Sequence, residues 1–202
     1  MRVVCLDLEG VLVPEIWINV AEKTGIEELR LTTRDISDYD VLMKGRLKIL
    51  EEHSLTLNDI QAVIGTMEPL EGALEFLTFL RERTQVIILS DTFTQFASPL
   101  MEKLGWPTLL CNYLVIDPDT NMISDYKLRQ NDGKRRAVEA LQSLGYKVFA
   151  GGDSYNDLSM IKKADGGALF RAPEGILKEE PHLPFTTTYD EFRGVIEEFL
   201  GQ

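Results

Sequence analysis

Val3-Val4-Cys5-Leu6-Asp7-Leu8-Glu9-Gly10-Val11-Leu12 decides how the rest of the chain is read. A short apolar, β-branched run that stops at a carboxylate and then a glycine has the pattern of a strand buried on both faces, with an acid at its C-terminal tip. In open α/β sheets, ligands bind in the crevice beyond such tips. Asp7 and Glu9 stand two positions apart, so on extended backbone their side chains point the same way. Taken alone, an Asp-x-Glu pair is as readily a solvated strand end as a site.

The pair gains weight from residues further along the chain. Ser90 comes directly after the apolar run Val86-Ile87-Ile88-Leu89, Lys134 opens a helical stretch, and Gly152-Asp153-Ser154-Tyr155-Asn156-Asp157 succeeds Lys147-Val148-Phe149-Ala150. Each polar group sits where a strand pattern gives way to a loop or a helix. Between residues 14 and 67 there is no strand pattern. Glu15 to Thr24 reads as a helix stopped by Gly25, Asp38 to His53 carries Tyr39, Leu42, Met43, Leu47 and Leu50 at helical spacing, and Thr56 opens a helix with a Thr-x-x-Asp box. From residue 69 helices and strands alternate. The expected elements are a helix over 72–83, a strand over 85–89, a helix over 94–104 and a strand over 108–112. A β-hairpin about Asp117-Pro118-Asp119-Thr120-Asn121 comes next, then a helix over 133–144, a strand over 147–150, a helix over 156–163, a strand over 167–170 and a helix over 189–200. The expected fold is α/β, a doubly wound, mainly parallel Rossmann-like sheet with a small inserted α-helical cap and a β-hairpin. The core is expected over 1–13 and 69–202 and the cap over 14–68, where it would lie above the strand tips and exclude water.

Composition narrows the partners. Of 202 residues 44% are hydrophobic and 27% charged, which excludes a disordered chain. The 33 acidic against 21 basic residues leave a net charge of -12, which disfavours nucleic acid as a partner. No apolar run approaches the roughly 18 to 20 residues that span a bilayer, so no membrane partner is expected. Cys5 and Cys111 both fall in apolar, strand-like runs, as reduced core residues do, and a cytoplasmic location is expected. His53 and His182 are far apart and without clustered thiols, which argues against zinc or a histidine triad. No feature of the sequence sets an oligomeric state.

With Asp7-x-Glu9, Ser90, Lys134 and Gly152-Asp153-x-x-x-Asp157 in this order, the chain resembles the haloacid dehalogenase-like phosphohydrolase superfamily over nearly its whole length. Within it, the chain is most similar to the phosphoserine phosphatase group. Asp7-Leu8-Glu9-Gly10-Val11, Pro14-Glu15 and Leu89-Ser90-Asp91-Thr92-Phe93 are similar to the branch that is both phosphoserine phosphatase and phosphoserine:homoserine phosphotransferase. The resemblance implies Asp7 as the nucleophile that takes the phosphoryl group and Glu9 as general acid and then base. It implies one magnesium ion on Asp7, Asp153 and the backbone carbonyl of Glu9. Ser90 and Lys134 would hold phosphoryl oxygens. Asp157 would orient Lys134 or a metal-bound water, or else cap the helix beginning near Asn156. Glu15 and Arg46 match positions that bind the amino and carboxylate groups of the substrate, and Asn156 would also reach it. For Arg46 the alternative is an exposed charge on its helix, and for Met43, one turn earlier, a place in the core.

Two departures from the ordinary phosphoserine phosphatase pattern are visible. Glu9 stands in place of an aspartate, and Asp91-Thr92 in place of two glycines, so both side chains would narrow or re-aim the substrate pocket. The implied activity is hydrolysis of phosphoserine with transfer to homoserine. The alternatives are another small phosphomonoester, or a binding module that is itself phosphorylated; the helical insertion and Glu9 count against the latter.

Overall fold

The computed structural model describes residues 1–32, 35–36 and 38–201; Thr33, Arg34, Ser37 and Gln202 lie outside the described residues. The first strand, β1 (Arg2–Leu6), explains the architecture. Its side chains alternate, Val3 and Cys5 entering one apolar cluster and Val4 and Leu6 another, so both faces are covered and the run is apolar throughout.

The helical segment that comes next holds α1 (Ile16–Thr24), a 3₁₀ turn (Glu27–Arg30), α2 (Tyr39–Glu52) and α3 (Leu57–Gly65). Gly25 ends α1 in the left-handed conformation, at φ 73°, and the Thr56–Asp59 capping box opens α3 as the sequence predicts. Beyond it come α4 (Ala73–Arg81), β2 (Gln85–Phe93), α5 (Thr94–Lys103), β3 (Thr108–Ile116), β4 (Ile123–Lys127), α6 (Gly133–Ser143), β5 (Lys147–Gly152), α7 (Leu158–Lys163), β6 (Gly166–Phe170), α8 (Glu174–Glu179), β7 (Phe185–Thr186) and α9 (Tyr189–Leu200).

Among the described residues the sheet has the order β4-β3-β2-β1-β5-β6-β7. Every neighbouring pair is parallel except β3 and β4. The chain winds outward from β1 to β3 and then returns to lay β5 on the other side of β1, which is the doubly wound arrangement expected. Residues of α4, α5 and α9 join the cluster on one face, and residues of α6, α7 and α8 the cluster on the other.

The structure differs from the sequence reading in four places. β2 runs on through Ser90, Asp91 and Thr92 to Phe93, with a register shift after Leu89. β3 does not end at Asn112: its first half pairs with β2 and its second half with β4, so the strand and the first arm of the hairpin are one element. The helix expected from Asn156 begins as a 3₁₀ turn (Tyr155–Asp157). α8 and β7 were not expected.

One aromatic stack ties the last helix to the first strand's turn. Phe192 of α9 stacks on Phe76 at 5.4 Å and on Phe170 at 5.0 Å between ring centroids. Tyr189, stacked on the same two rings, donates its hydroxyl to the Val11 carbonyl at 2.7 Å. A buried phenol that finds such a partner avoids the cost of an unmade bond, and here it pins the loop after Asp7.

Candidate active site

Asp7 is the first residue past β1. Its N–H donates to the Gly151 carbonyl at 2.9 Å, which continues the β1–β5 pairing, and its Oδ1 accepts from the Leu8 N–H at 2.8 Å. Glu9 and Gly10 then turn tightly, with the Gly10 N–H on the Val13 carbonyl at 2.8 Å. Gly10 takes φ 75°, and a Cβ there would stand 2.4 Å from an Asp153 carboxylate oxygen, so two strand ends meet where only glycine fits.

Lys134, in the first turn of α6, reaches back under the sheet ends. Its Nζ lies 2.9 Å from Asp7 Oδ1, 2.8 Å from Asp157 Oδ1 and 3.7 Å from Asp91 Oδ2. Burial works against its charge, but the Asp157 and Asp7 carboxylates outweigh that and hold its pKa well above the ordinary value. The other oxygen of Asp157 accepts from the N–H groups of Asp153 and Ser154 and from the Ser154 hydroxyl, each at 3.1 Å. Asp157 therefore fastens the loop after β5 to Lys134, and with Ser154 it forms a capping box on the 3₁₀ turn Tyr155–Asp157, though its side chain does not cap α7 itself.

Glu9 Oε2 accepts the Ile16 N–H at 2.9 Å, so this carboxyl satisfies the first turn of α1, which has no side-chain cap of its own. Burial first, and the Glu15 carboxylate second, push Glu9 up to about 8. A shift in this direction favours the protonated carboxyl, the form in which such a group can give up a proton.

A cavity of about 360 Å³ opens above these groups. Of the residues singled out from sequence, Asp7, Glu9, Glu15, Arg46, Ser90 and Lys134 line it, as do Asp91, Thr92, Asp153 and Asn156. Arg46 is buried in α2, not exposed on it: its guanidinium lies 4.6 Å over the Trp17 ring, Nη2 donates to the Leu31 carbonyl at 2.7 Å, and burial lowers its pKa to about 10. Its Nε has no hydrogen-bond partner among the described residues. Met43 is fully buried, with its sulfur 3.7 Å from Arg46 Nη1. Ser90 Oγ accepts from the Thr92 N–H at 3.2 Å, and Asn156 Nδ2 donates to Asp91 Oδ2 at 3.0 Å. Trp17 and Tyr39 line the cavity without having been singled out. Apolar spacing marks both as core, and only the position of α1 and α2 above the strand tips turns them inward.

Asp7, Asp153 and Asp157 each present an oxygen within 4.8 Å of the others. Lys134 is the one cation in direct contact with this set among the described residues. Burial and then the Asp157 charge raise Asp7 well above the carboxylate range and Asp153 to about 7. An all-oxygen cluster short of positive charge suits a hard divalent cation.

The family model of haloacid dehalogenase-like hydrolases matches residues 1–165, and the chain belongs to that family of enzymes. A phosphoserine phosphatase of Pseudomonas syringae pv. tomato is 60% identical over 193 residues, 96% of this chain and 81% of that protein. Phosphoserine phosphatase ThrH of Pseudomonas aeruginosa is 59% identical over 200 residues, 99% of this chain and 96% of that one. A crystal structure of a phosphoserine phosphatase in apo form shares the fold with a TM-score of 0.76, at 24% identity and covering 99% of this chain and 98% of that chain.

Proposed function

We propose that the chain is a magnesium-dependent phosphoserine phosphatase that works through a phosphorylated Asp7 and also passes the phosphoryl group to homoserine. One observation carries this reading. The buried Asp7–Lys134 pair and the buried Arg46, whose Nε lacks a partner among the described residues, line one cavity together with Glu15. A phosphorylated zwitterion offers a group for each of them. The two Pseudomonas relatives named phosphoserine phosphatase support the substrate, and the ThrH name supports the branch with transfer.

Asp7 Oδ1 is held by both Lys134 and the Leu8 N–H, which leaves Oδ2 to attack. As Oδ2 bonds to phosphorus, the ester P–O bond breaks, its electrons stay on the serine oxygen, and Glu9 gives that oxygen its proton. Serine departs, and Asp7 carries the phosphoryl group as an acyl phosphate. Glu9, now ionised, takes the proton of an incoming hydroxyl whose oxygen attacks the same phosphorus. The bond to Asp7 breaks and its carboxylate returns. Water as the acceptor gives inorganic phosphate; homoserine gives phosphohomoserine, with the advantage that a bound alcohol has over a diffusing water. Lys134 and the Ser90 hydroxyl hold phosphoryl oxygens through the transfer. Asp7, Asp153 and the Glu9 carbonyl would hold the magnesium ion, which would supply charge neutralisation.

On this reading residues 14–68 are a cap on a core of 1–13 and 69–202. Glu15, Trp17 and Arg46 line the cavity from the helical side while Ser90 and Asp153 line it from the strand ends. The reaction belongs to the cytoplasm, in keeping with two buried, unpaired cysteines; no helix among the described residues is long and apolar enough to cross a membrane.

The test is to incubate the enzyme with O-phosphoserine, with magnesium or chelator, and with or without homoserine. Serine release that needs magnesium, with phosphohomoserine rising at the expense of free phosphate, is the expected result. Serine release with free phosphate alone removes the transferase half, and no serine release removes the reading.

A further inference from the structure

Asp91 puts a carboxylate among the groups that are to hold the substrate's phosphoryl oxygens. Its Oδ2 accepts from Asn156 Nδ2 at 3.0 Å and stands 3.7 Å from Lys134 Nζ. The backbone behind it is fixed, because the Asp91 carbonyl accepts from the Tyr39 hydroxyl at 3.3 Å and from Asn112 Nδ2 at 3.1 Å. The side chain itself is 45% exposed, on the wall of the cavity. One donor that a phosphate would use, Asn156, is thus turned towards an internal anion, and Lys134, which is closer to Asp7 and Asp157, stands within reach of the same anion.

We propose that the Asp91 carboxylate is a built-in competitor for the phosphoryl site, and that it selects phosphomonoesters whose alcohol carries an ammonium group. A phosphate dianion that takes over Lys134 and Asn156 is brought against the Asp91 charge, and like charges at such range repel strongly in a half-buried pocket. Asp91 must then turn away. The cavity it turns into is already acidic, with Glu15 on its wall, and among the described residues the cations lining it are Lys134 and Arg46. A substrate ammonium supplies the missing partner; an ester without one leaves Asp91 stranded beside the phosphate.

The competitor is tested without any assumption about the substrate, by titrating inorganic phosphate into the magnesium-loaded full chain in a calorimeter. Asp91→Asn, which keeps the side-chain shape and loses the charge, is expected to bind phosphate about tenfold tighter or more. Asp91→Glu, which keeps the charge, is expected to stay within about threefold of the parent. Unchanged or weaker binding by Asp91→Asn overturns the proposal, as does equal tightening by both variants, which would point to shape. The selection rests on the phosphoserine reading and is read as the kcat/KM ratio of O-phosphoserine to 3-phosphonooxypropanoate, the same ester without its amino group. The ratio is expected to fall about tenfold in Asp91→Asn, and a constant ratio overturns selection. If neither ester is turned over the phosphoserine reading fails, while the phosphate titration still decides whether Asp91 competes.

Discussion

Lys134 Nζ stands 2.8 Å from Asp157 Oδ1, and both side chains are all but closed to solvent. This pair joins α6 to the loop after β5, and through the second partner of the lysine, Asp7 Oδ1, it sets which oxygen of the proposed nucleophile stays free.

Replacing Asp157 by alanine removes the acceptor for Lys134 and also for the Asp153 and Ser154 N–H groups. Breaking a buried ion pair by deleting one partner costs about 3 kcal/mol or more. For a chain of this size that is a fall of roughly 6–12 °C in Tm. Thermal unfolding of Asp157→Ala checks it, and a Tm within about 2 °C of the parent would deny the pair its structural role.

The strand-tip acids were legible because strand, acid and glycine come one after another in sequence, and the order of helices and strands was legible from apolar spacing. The contact of Asp157 with Lys134 was expected from the resemblance and not from spacing, since the lysine lies on another helix, and its hold on three donors of its own loop goes beyond what the sequence offered. The polar pair Ser90-Asp91 breaks the apolar run, and Asp is depleted in strands, so β2 reads as ending at Leu89, although Phe93 returns to pair with Asn112 after a register shift. Asn112 likewise reads as a strand end, yet β3 passes straight through it to a second partner. β7 has two residues and α8 six, too short for any periodicity to show. Glu9 as the cap of α1 was invisible for another reason: the acceptor lies seven residues from the N–H it serves, outside every local capping pattern.

Removing the metal should make stability fall as pH rises. Burial is the first cause of raised values in Glu9, at about 8, and in Asp153, at about 7, and it raises Asp7 as well. A carboxyl whose folded pKa exceeds its unfolded one, near 4, favours the folded state most below that unfolded value and loses the advantage as pH climbs to the folded one. In chelator, Tm is expected to decline between about pH 5 and 8. Magnesium, on the proposed reading, would bind the ionised carboxylates and so should flatten the decline. A metal-free Tm that rises across this window, measured by calorimetry, would contradict the burial of these acids.

Arg46→Ala should discriminate between substrates. A charge-assisted bond to a carboxylate is worth about 1.5–3 kcal/mol, or roughly 10- to 150-fold in kcat/KM. That loss is expected for phosphoserine and not for phosphoethanolamine, which has the amine and the phosphate but no carboxylate. Some stability also goes, because the guanidinium packs on Trp17 and holds the Leu31 carbonyl. Steady-state kinetics on both esters separates the two effects, since equal losses would assign Arg46 to the fold alone.

Gly10 and Gly25 share a backbone conformation, at φ 75° and 73°, and differ in what surrounds them. Alanine at either position takes on left-handed strain of about 1–2 kcal/mol. At Gly25 the new methyl meets nothing within 4 Å, whereas at Gly10 it meets the Asp153 carboxylate at 2.4 Å and must displace it. Asp153 belongs to the acidic cluster with Asp7 and Asp157, and a shift of about 1 Å in such a group can cost about 100-fold in rate. Gly25→Ala should therefore lose a small amount of stability, seen as a few degrees of Tm, and Gly10→Ala at least as much, because of the added clash. Only Gly10→Ala should also lose turnover, by about 100-fold, and need more magnesium for half-maximal activity. Measuring the Gly25→Ala enzyme alongside removes backbone strain from the comparison. If the two variants turn over within about twofold of each other, Gly10 shapes the turn and nothing more, and Asp153 is not held where the reaction needs it.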